Sequence, residues 1–257
     1  MWPFTRKAIV DDETAAWHID NFAWLIRRFG GSEGLTHSKL ILPRPGFFVT
    51  DRETGHAFAQ RIFDQTRDYC GMSDWEVDLV ADDNPLAAQA APSLAMVAAQ
   101  KHALATFGVA GNRIVISYVP ALLKRPDQLI ATFAHELAHY LLATTKEAPP
   151  CEEDEKEFLT DLAAVYLGFG VFLANARFQH ESYVDGPLQG WRIARTGYLP
   201  EADLVFALAL FLQVKGLDPM PAFECLKPHL ATMLKRAMSE LSRQASLLTP
   251  IREATGL

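Results

Sequence analysis

The apolar and polar positions divide the chain into helices with one short β-rich stretch near the middle. Residues 13–29 place Trp17, Phe22, Trp24, Leu25, Ile26 and Phe29 on a helical apolar side, and Gly30-Gly31 ends the pattern. A second helix is predicted over about 54–69, with Phe58, Ile62, Phe63 and Tyr69 broadly on one side. Trp75-Glu76-Val77-Asp78-Leu79-Val80 alternates apolar and acidic, as a half-buried strand does. The Ala-rich stretch 84–100 contains Pro85 and Pro92 and reads as a long loop. Two short apolar runs, 102–109 and 113–118, flank Ala110-Gly111-Asn112 and predict a β-hairpin. The second run holds the β-branched Ile114-Val115-Ile116.

Helical spacing then dominates. Pro126 suits a first helical turn and Asp127 complements the dipole, so a helix is predicted from there to about Leu142. Beyond Pro149 and Pro150, one long helix is predicted over about 152–178. Its start carries Glu152, Glu153, Asp154, Glu155 and Glu157, most of which suit a solvated, dipole-matched helix start. Two more helices fit 200–215 and about 227–246. No repeat of fixed period appears, which argues against a helical solenoid. The expected fold class is α+β. A core at 75–178 sits between mainly helical parts at 1–74 and 179–257, in one continuous globular unit.

Composition narrows the function classes. Against 24 Lys+Arg stand 31 Asp+Glu, a formal charge of −7, and no basic run occurs. Nucleic acids and anionic membranes call for clustered Lys and Arg, so neither is expected as a partner. Cys70, Cys151 and Cys225 are odd in number, widely spaced and without a C-x-x-C pair, which fits thiols in a reducing compartment. Asp11, Asp12, Glu13 and Asp20 stand where a signal peptide would be apolar. The longest predominantly apolar run without charge, 162–176, has 15 residues, short of the ~18–20 a membrane span needs. A soluble, cytoplasmic protein with no membrane span is expected.

His135-Glu136-Leu137-Ala138-His139 changes the picture. Positions i and i+4 lie one turn apart on one helix face, so both imidazoles can reach a single metal ion. Glu136, beside the first histidine, is placed to meet a water rather than the metal. Zinc lowers the pKa of such a water toward ~7, and a carboxylate can then take its proton. Two histidines and a carboxylate on a largely apolar helix are costly to bury without a shared partner.

A catalytic zinc needs a third protein ligand and an open position. The metzincin extension would require Gly at 142 and His at 145, where this chain has Leu142 and Thr145. The next helix offers Glu157 as ligand and Asp161, one turn later on the same face, as acceptor for a ligand histidine N–H. Glu153, Glu155 and Asp161 itself remain alternative third ligands.

With these residues in hand, the pair H-E-x-x-H and Glu157-x-x-x-Asp161 resembles the zincin metallopeptidases, in particular the gluzincin branch. The resemblance covers about 113–170, under a quarter of the chain. It departs from the thermolysin-like pattern in having 17 residues between His139 and Glu157, slightly few, and Lys156 where that pattern has Asn. It implies a small twisted sheet packed on the active-site helix, Zn²⁺ held by His135, His139 and Glu157, and Glu136 as general base. It also implies a peptide or protein substrate held along an edge strand, for which 114–118 is one candidate. Gluzincins further use a donor on the developing oxyanion. His180 and Tyr183 are candidates here, followed by Arg192, Arg195 and Tyr198 in a segment, 179–198, that reads as a loop.

The function expected from this is hydrolysis of peptide bonds by a zinc-activated water. A non-catalytic zincin-like module that binds a partner or acts in regulation is the alternative. A hydrolase of non-peptide substrates is a weaker third. Gly168-Phe169-Gly170 lacks a preceding strand and is no dinucleotide fingerprint; close helix–helix approach is its expected use.

Overall fold

A computed structural model describes residues 8–49, 52–82, 105–110, 113–181 and 198–256. The chain is mainly helical with one small sheet, an α+β arrangement. Helix α1 spans Asp12–Arg28. Its start is fixed by Asp11, whose carboxylate accepts from the Thr14 backbone N–H at 2.8 Å, and this bond lowers the Asp11 pKa. Acids in its first turn and Arg27 and Arg28 in its last complement the dipole. Helices α2 (Gly31–His37) and α3 (Gly55–Tyr69) follow.

The sheet has three strands: β1 (Val77–Ala81), β2 (Ala105–Ala110) and β3 (Arg113–Tyr118). Their order is β1-β3-β2. β3 pairs antiparallel with β2, as the hairpin pattern predicts, and parallel with β1, with Leu79 opposite Ile116. This corrects the expectation that 114–118 is an edge strand. β3 is the central strand, with Ile116, Ser117 and Tyr118 buried, and both of its hydrogen-bonding edges are occupied. Among the described residues, β1 and β2 are the outer strands. The stretch 84–100, expected as a loop, lies outside the described residues.

Helix α4 runs Pro126–Ala143 and α5 Lys156–Ala164. Leu129, Ile130, Phe133 and Leu137 bury one side of α4, packed against α3, α5 and β2. Before α5, a short turn at Glu153–Glu155 closes with a capping box in which Glu155 Oε2 accepts from Glu152 N at 3.0 Å.

The single helix expected over 152–178 is interrupted. After α5 comes a π-helical turn, Val165–Phe169, in which Gly168 has φ 103°, and the chain resumes as α6 (Gly170–Glu181). A Cβ on Gly168 would stand 1.8 Å from the Lys39 carbonyl oxygen, while Gly168 O accepts from Ile41 N at 2.9 Å. Segment 39–41 thus passes against the helix at a point only glycine permits. Gly170 serves the expected helix approach: a Cβ there would stand 3.1 Å from Leu208 Cδ1 of α7 (Glu201–Val214).

Among the described residues, one helical stretch, Glu153–Ala176, is long and apolar enough by length and composition to cross a membrane, and 89% of its most apolar window is buried inside the fold. Its acidic start lengthens it beyond the uncharged run visible in sequence. Helix α7 is buried from Leu204 to Leu212 and packs on α6 and on α9 (Pro228–Arg243), after the short α8 (Met220–Cys225). The last helix, α10 (Thr249–Thr255), returns to pack on α1.

Candidate metal centre

Helices α4 and α5 pack side by side, and each brings one face of a four-residue spacing to their contact. From α4 come His135 and His139, from α5 Glu157 and Asp161. Glu157 Oε2 lies 3.3 Å from His135 Nε2 and 3.4 Å from His139 Nε2. One ligand atom from each of the three residues lies within 4.8 Å of the others. Bonds of ~2.0–2.1 Å at tetrahedral angles put neighbouring ligand atoms about 3.4 Å apart. The two histidine–glutamate spacings match that edge length.

The far nitrogens of both rings are held. His135 Nδ1 sits 2.8 Å from Asp161 Oδ1, and Asp161 Oδ2 accepts from Leu199 N at 2.7 Å. Thr160 Oγ1 donates to Lys156 O at 2.9 Å and stands 3.3 Å from His139 Nδ1. A hydroxyl has a single proton. With that proton given to Lys156 O, the Thr160 oxygen faces His139 as an acceptor, so Nδ1 carries the hydrogen. The Asp161 carboxylate imposes the same tautomer on His135. Both Nε2 lone pairs then face the Glu157 carboxylate, an arrangement that a cation between them satisfies. The donor set of two imidazoles and one carboxylate suits zinc.

Without a cation, a proton on His135 takes that place. Burial works against charge on His135, but hydrogen bonds to Asp161 and Glu157 outweigh it, and its pKa is pushed up to about 10. Burial works against the Glu157 charge as well, yet hydrogen bonds from His135 and His139 hold its carboxyl well below the usual range. Glu136 is 4% exposed, on the ligand helix, and its charge adds to the pull on the His135 proton.

The alternative third ligands are engaged elsewhere. Glu153 pairs with Lys156 at 2.7 Å, and Glu155 accepts from Trp17 Nε1 at 3.0 Å. Asp161 supports His135 from behind. Of the oxyanion candidates, His180 falls within α6, a helix where a loop was expected, and Tyr183, Arg192 and Arg195 lie outside the described residues. Tyr198 does reach the site: its ring centroid lies 4.9 Å from that of His135, tilted by 59°.

Sequence reasoning missed Thr160 and Leu199. Thr160 carried a readable signal, since it stands three residues after Glu157 and so shares its helix face. The Leu199 N–H carried none, because a backbone donor far along the chain has no signature. The chain matches no family model, no curated protein and no solved structure, so the candidate metal centre rests on its own geometry: two histidines and one glutamate whose ligand atoms gather within 4.8 Å of one another and could hold a metal ion.

Proposed function

We propose that this chain is a zinc-dependent metallopeptidase of the gluzincin type. One observation carries it: His135 Nε2 and His139 Nε2 converge on one Glu157 oxygen at 3.3 and 3.4 Å, while Asp161 and Thr160 occupy both far nitrogens. His135, His139 and Glu157 would hold the ion. Zinc, when bound, supplies a Lewis acid that polarises a carbonyl and brings the pKa of a water toward ~7.

The remaining work falls to the chain. The Glu136 carboxylate takes a proton from the attacking water and returns it to the leaving amine nitrogen, which keeps the proton count balanced across amide hydrolysis. Its burial in an apolar helix keeps bulk water from competing for that proton. Asp161 and Thr160 fix the two imidazoles in the tautomer that leaves Nε2 available. An extended peptide is held by pairing along β2, which among the described residues is an outer strand of the sheet and packs against α4; central β3 has no edge to offer.

Metal analysis of protein purified without added metal tests the centre: about one zinc per chain is expected, and its loss in His135→Ala. Glu136→Gln then tests the chemistry. Zinc content should persist while peptide turnover disappears; unchanged turnover removes Glu136 from the reaction. Zinc bound without hydrolysis of any peptide library points instead to a non-catalytic module.

A further inference from the structure

Helix α1 carries a polar stripe that none of the chemistry above uses. Trp17, Asn21, Trp24 and Arg28 recur at intervals of four, three and four, so they share one face along about 16 Å of helix. Each reaches the connection that joins the two ligand helices. Arg28 Nε donates to Thr145 Oγ1 at 2.8 Å, and Arg28 Nη1 to Glu147 Oε2 at 3.1 Å. Trp24 Nε1 donates to Glu147 Oε1 at 3.2 Å. Asn21 Nδ2 donates to Pro150 O at 3.4 Å, and Trp17 Nε1 to Glu155 Oε2 at 3.0 Å. Four anchor points, at 145, 147, 150 and 155, thus pin the connection in register with α1.

Both ends of that connection matter to the metal. His139 precedes its first anchor by six residues, and Glu157 follows its last by two. The Trp17 contact lies closest to a ligand. Glu155, its partner, also closes the capping box that starts α5, accepting from Glu152 N at 3.0 Å. The Trp17 ring meets Phe158 edge-on, with centroids 6.5 Å apart at 86°. Trp17 therefore grips the residues on either side of Glu157. The Arg28–Glu147 pair is exposed and adds little. Buried Trp24 and Asn21 and half-buried Trp17 carry the tie.

We infer that this face of α1 is a ruler that sets the placement of Glu157 against His135 and His139, with Trp17 and Trp24 as positioning residues for the metal. The inference rests on the metal reading above. A Glu157 displaced by a fraction of an ångström no longer spans both Nε2 atoms, and metal affinity is steeply sensitive to such support.

Zinc affinity, measured by competition with a chromophoric chelator, separates positioning from mere packing. Trp17→Phe keeps the ring against Phe158 and removes the N–H. It should weaken zinc binding about tenfold or more. Glu155→Ala should do the same, while Glu155→Gln, which keeps an acceptor oxygen, should stay near the parent. Should Trp17→Phe fail to fold, Trp24→Phe and the two Glu155 variants read the same quantity. Affinities within about twofold of the parent in Trp17→Phe and Glu155→Ala, whatever their melting temperatures, overturn the inference and leave the metal reading intact. A parent chain that holds no zinc against the chelator overturns both.

Discussion

Asp161 meets His135 at 2.8 Å through one carboxylate oxygen and uses the other to accept the Leu199 backbone N–H at 2.7 Å. Both oxygens are thus acceptors in a buried place. Asp161→Asn has nearly the same shape but offers one acceptor and one donor. Whichever way the amide turns, a donor faces a donor: the Leu199 N–H, or the hydrogen on His135 Nδ1. In the second case His135 is driven to the tautomer that closes Nε2 to the metal. The expected outcome is a zinc affinity about 10–100-fold below the parent, read by chelator competition. Parental affinity in Asp161→Asn would remove the carboxylate from the support of His135.

Thr160 supports His139 with a neutral oxygen rather than a charged one. Thr160→Val keeps the branched shape and loses the acceptor. A neutral hydrogen bond is worth ~1 kcal/mol, about fivefold in affinity, so the loss should be smaller than for Asp161→Asn. Thr160→Ser keeps the hydroxyl and should bind zinc close to the parent. Parental zinc affinity in Thr160→Val would remove the hydroxyl oxygen from the support of His139.

Much of the centre was readable because its parts are local. The spacing of His135 and His139 on one helix, and of Glu157 and Asp161 on another, follows from helix geometry alone. Chain-distant contacts were not readable. The hairpin of β2 and β3 is local, but the parallel pairing of β1 that makes β3 central is not. The tryptophans of α1 read as ordinary core residues, since an indole buries area whether or not its N–H has a task. Gly168 suggested helix contact, and only the passage of Lys39 against it explains why the helix breaks there.

That passage gives Gly168→Ala a definite outcome. The residue combines φ 103° with a backbone oxygen 1.8 Å from the position of a Cβ, and a carbonyl held in place cannot move aside as a side-chain end can. Left-handed strain alone costs ~1–3 kcal/mol, and the overlap adds to it, so a loss of more than about 3 kcal/mol is expected in denaturant unfolding. Gly170→Ala meets Leu208 Cδ1 at 3.1 Å, a flexible side-chain end, and should cost less. Equal losses at the two positions would count against the close approach of segment 39–41.

The pH dependence of the metal-free protein follows from the two shifted groups. His135 rises in the fold from an ordinary 6.5 to about 10. Its contribution to stability is fully present below pH 6.5 and is lost as pH climbs toward 10, because over that window the unfolded chain binds fewer protons. Glu157 is depressed from 4.5, so its contribution is present above pH 4.5 and is lost in acid. The metal-free centre therefore supports the fold best between about pH 4.5 and 6.5. Under the proposed zinc reading, the metal is expected to reverse the upper limb. Binding displaces the proton from His135, so affinity grows with pH through neutrality, with about one proton released per zinc. Thermal melts from pH 5 to 10 should show the metal-free protein falling on the alkaline side and the gap to the zinc-loaded protein widening. A constant gap, with no proton release in calorimetry across buffers of different ionisation enthalpy, would mean that His135 is already neutral before the metal arrives.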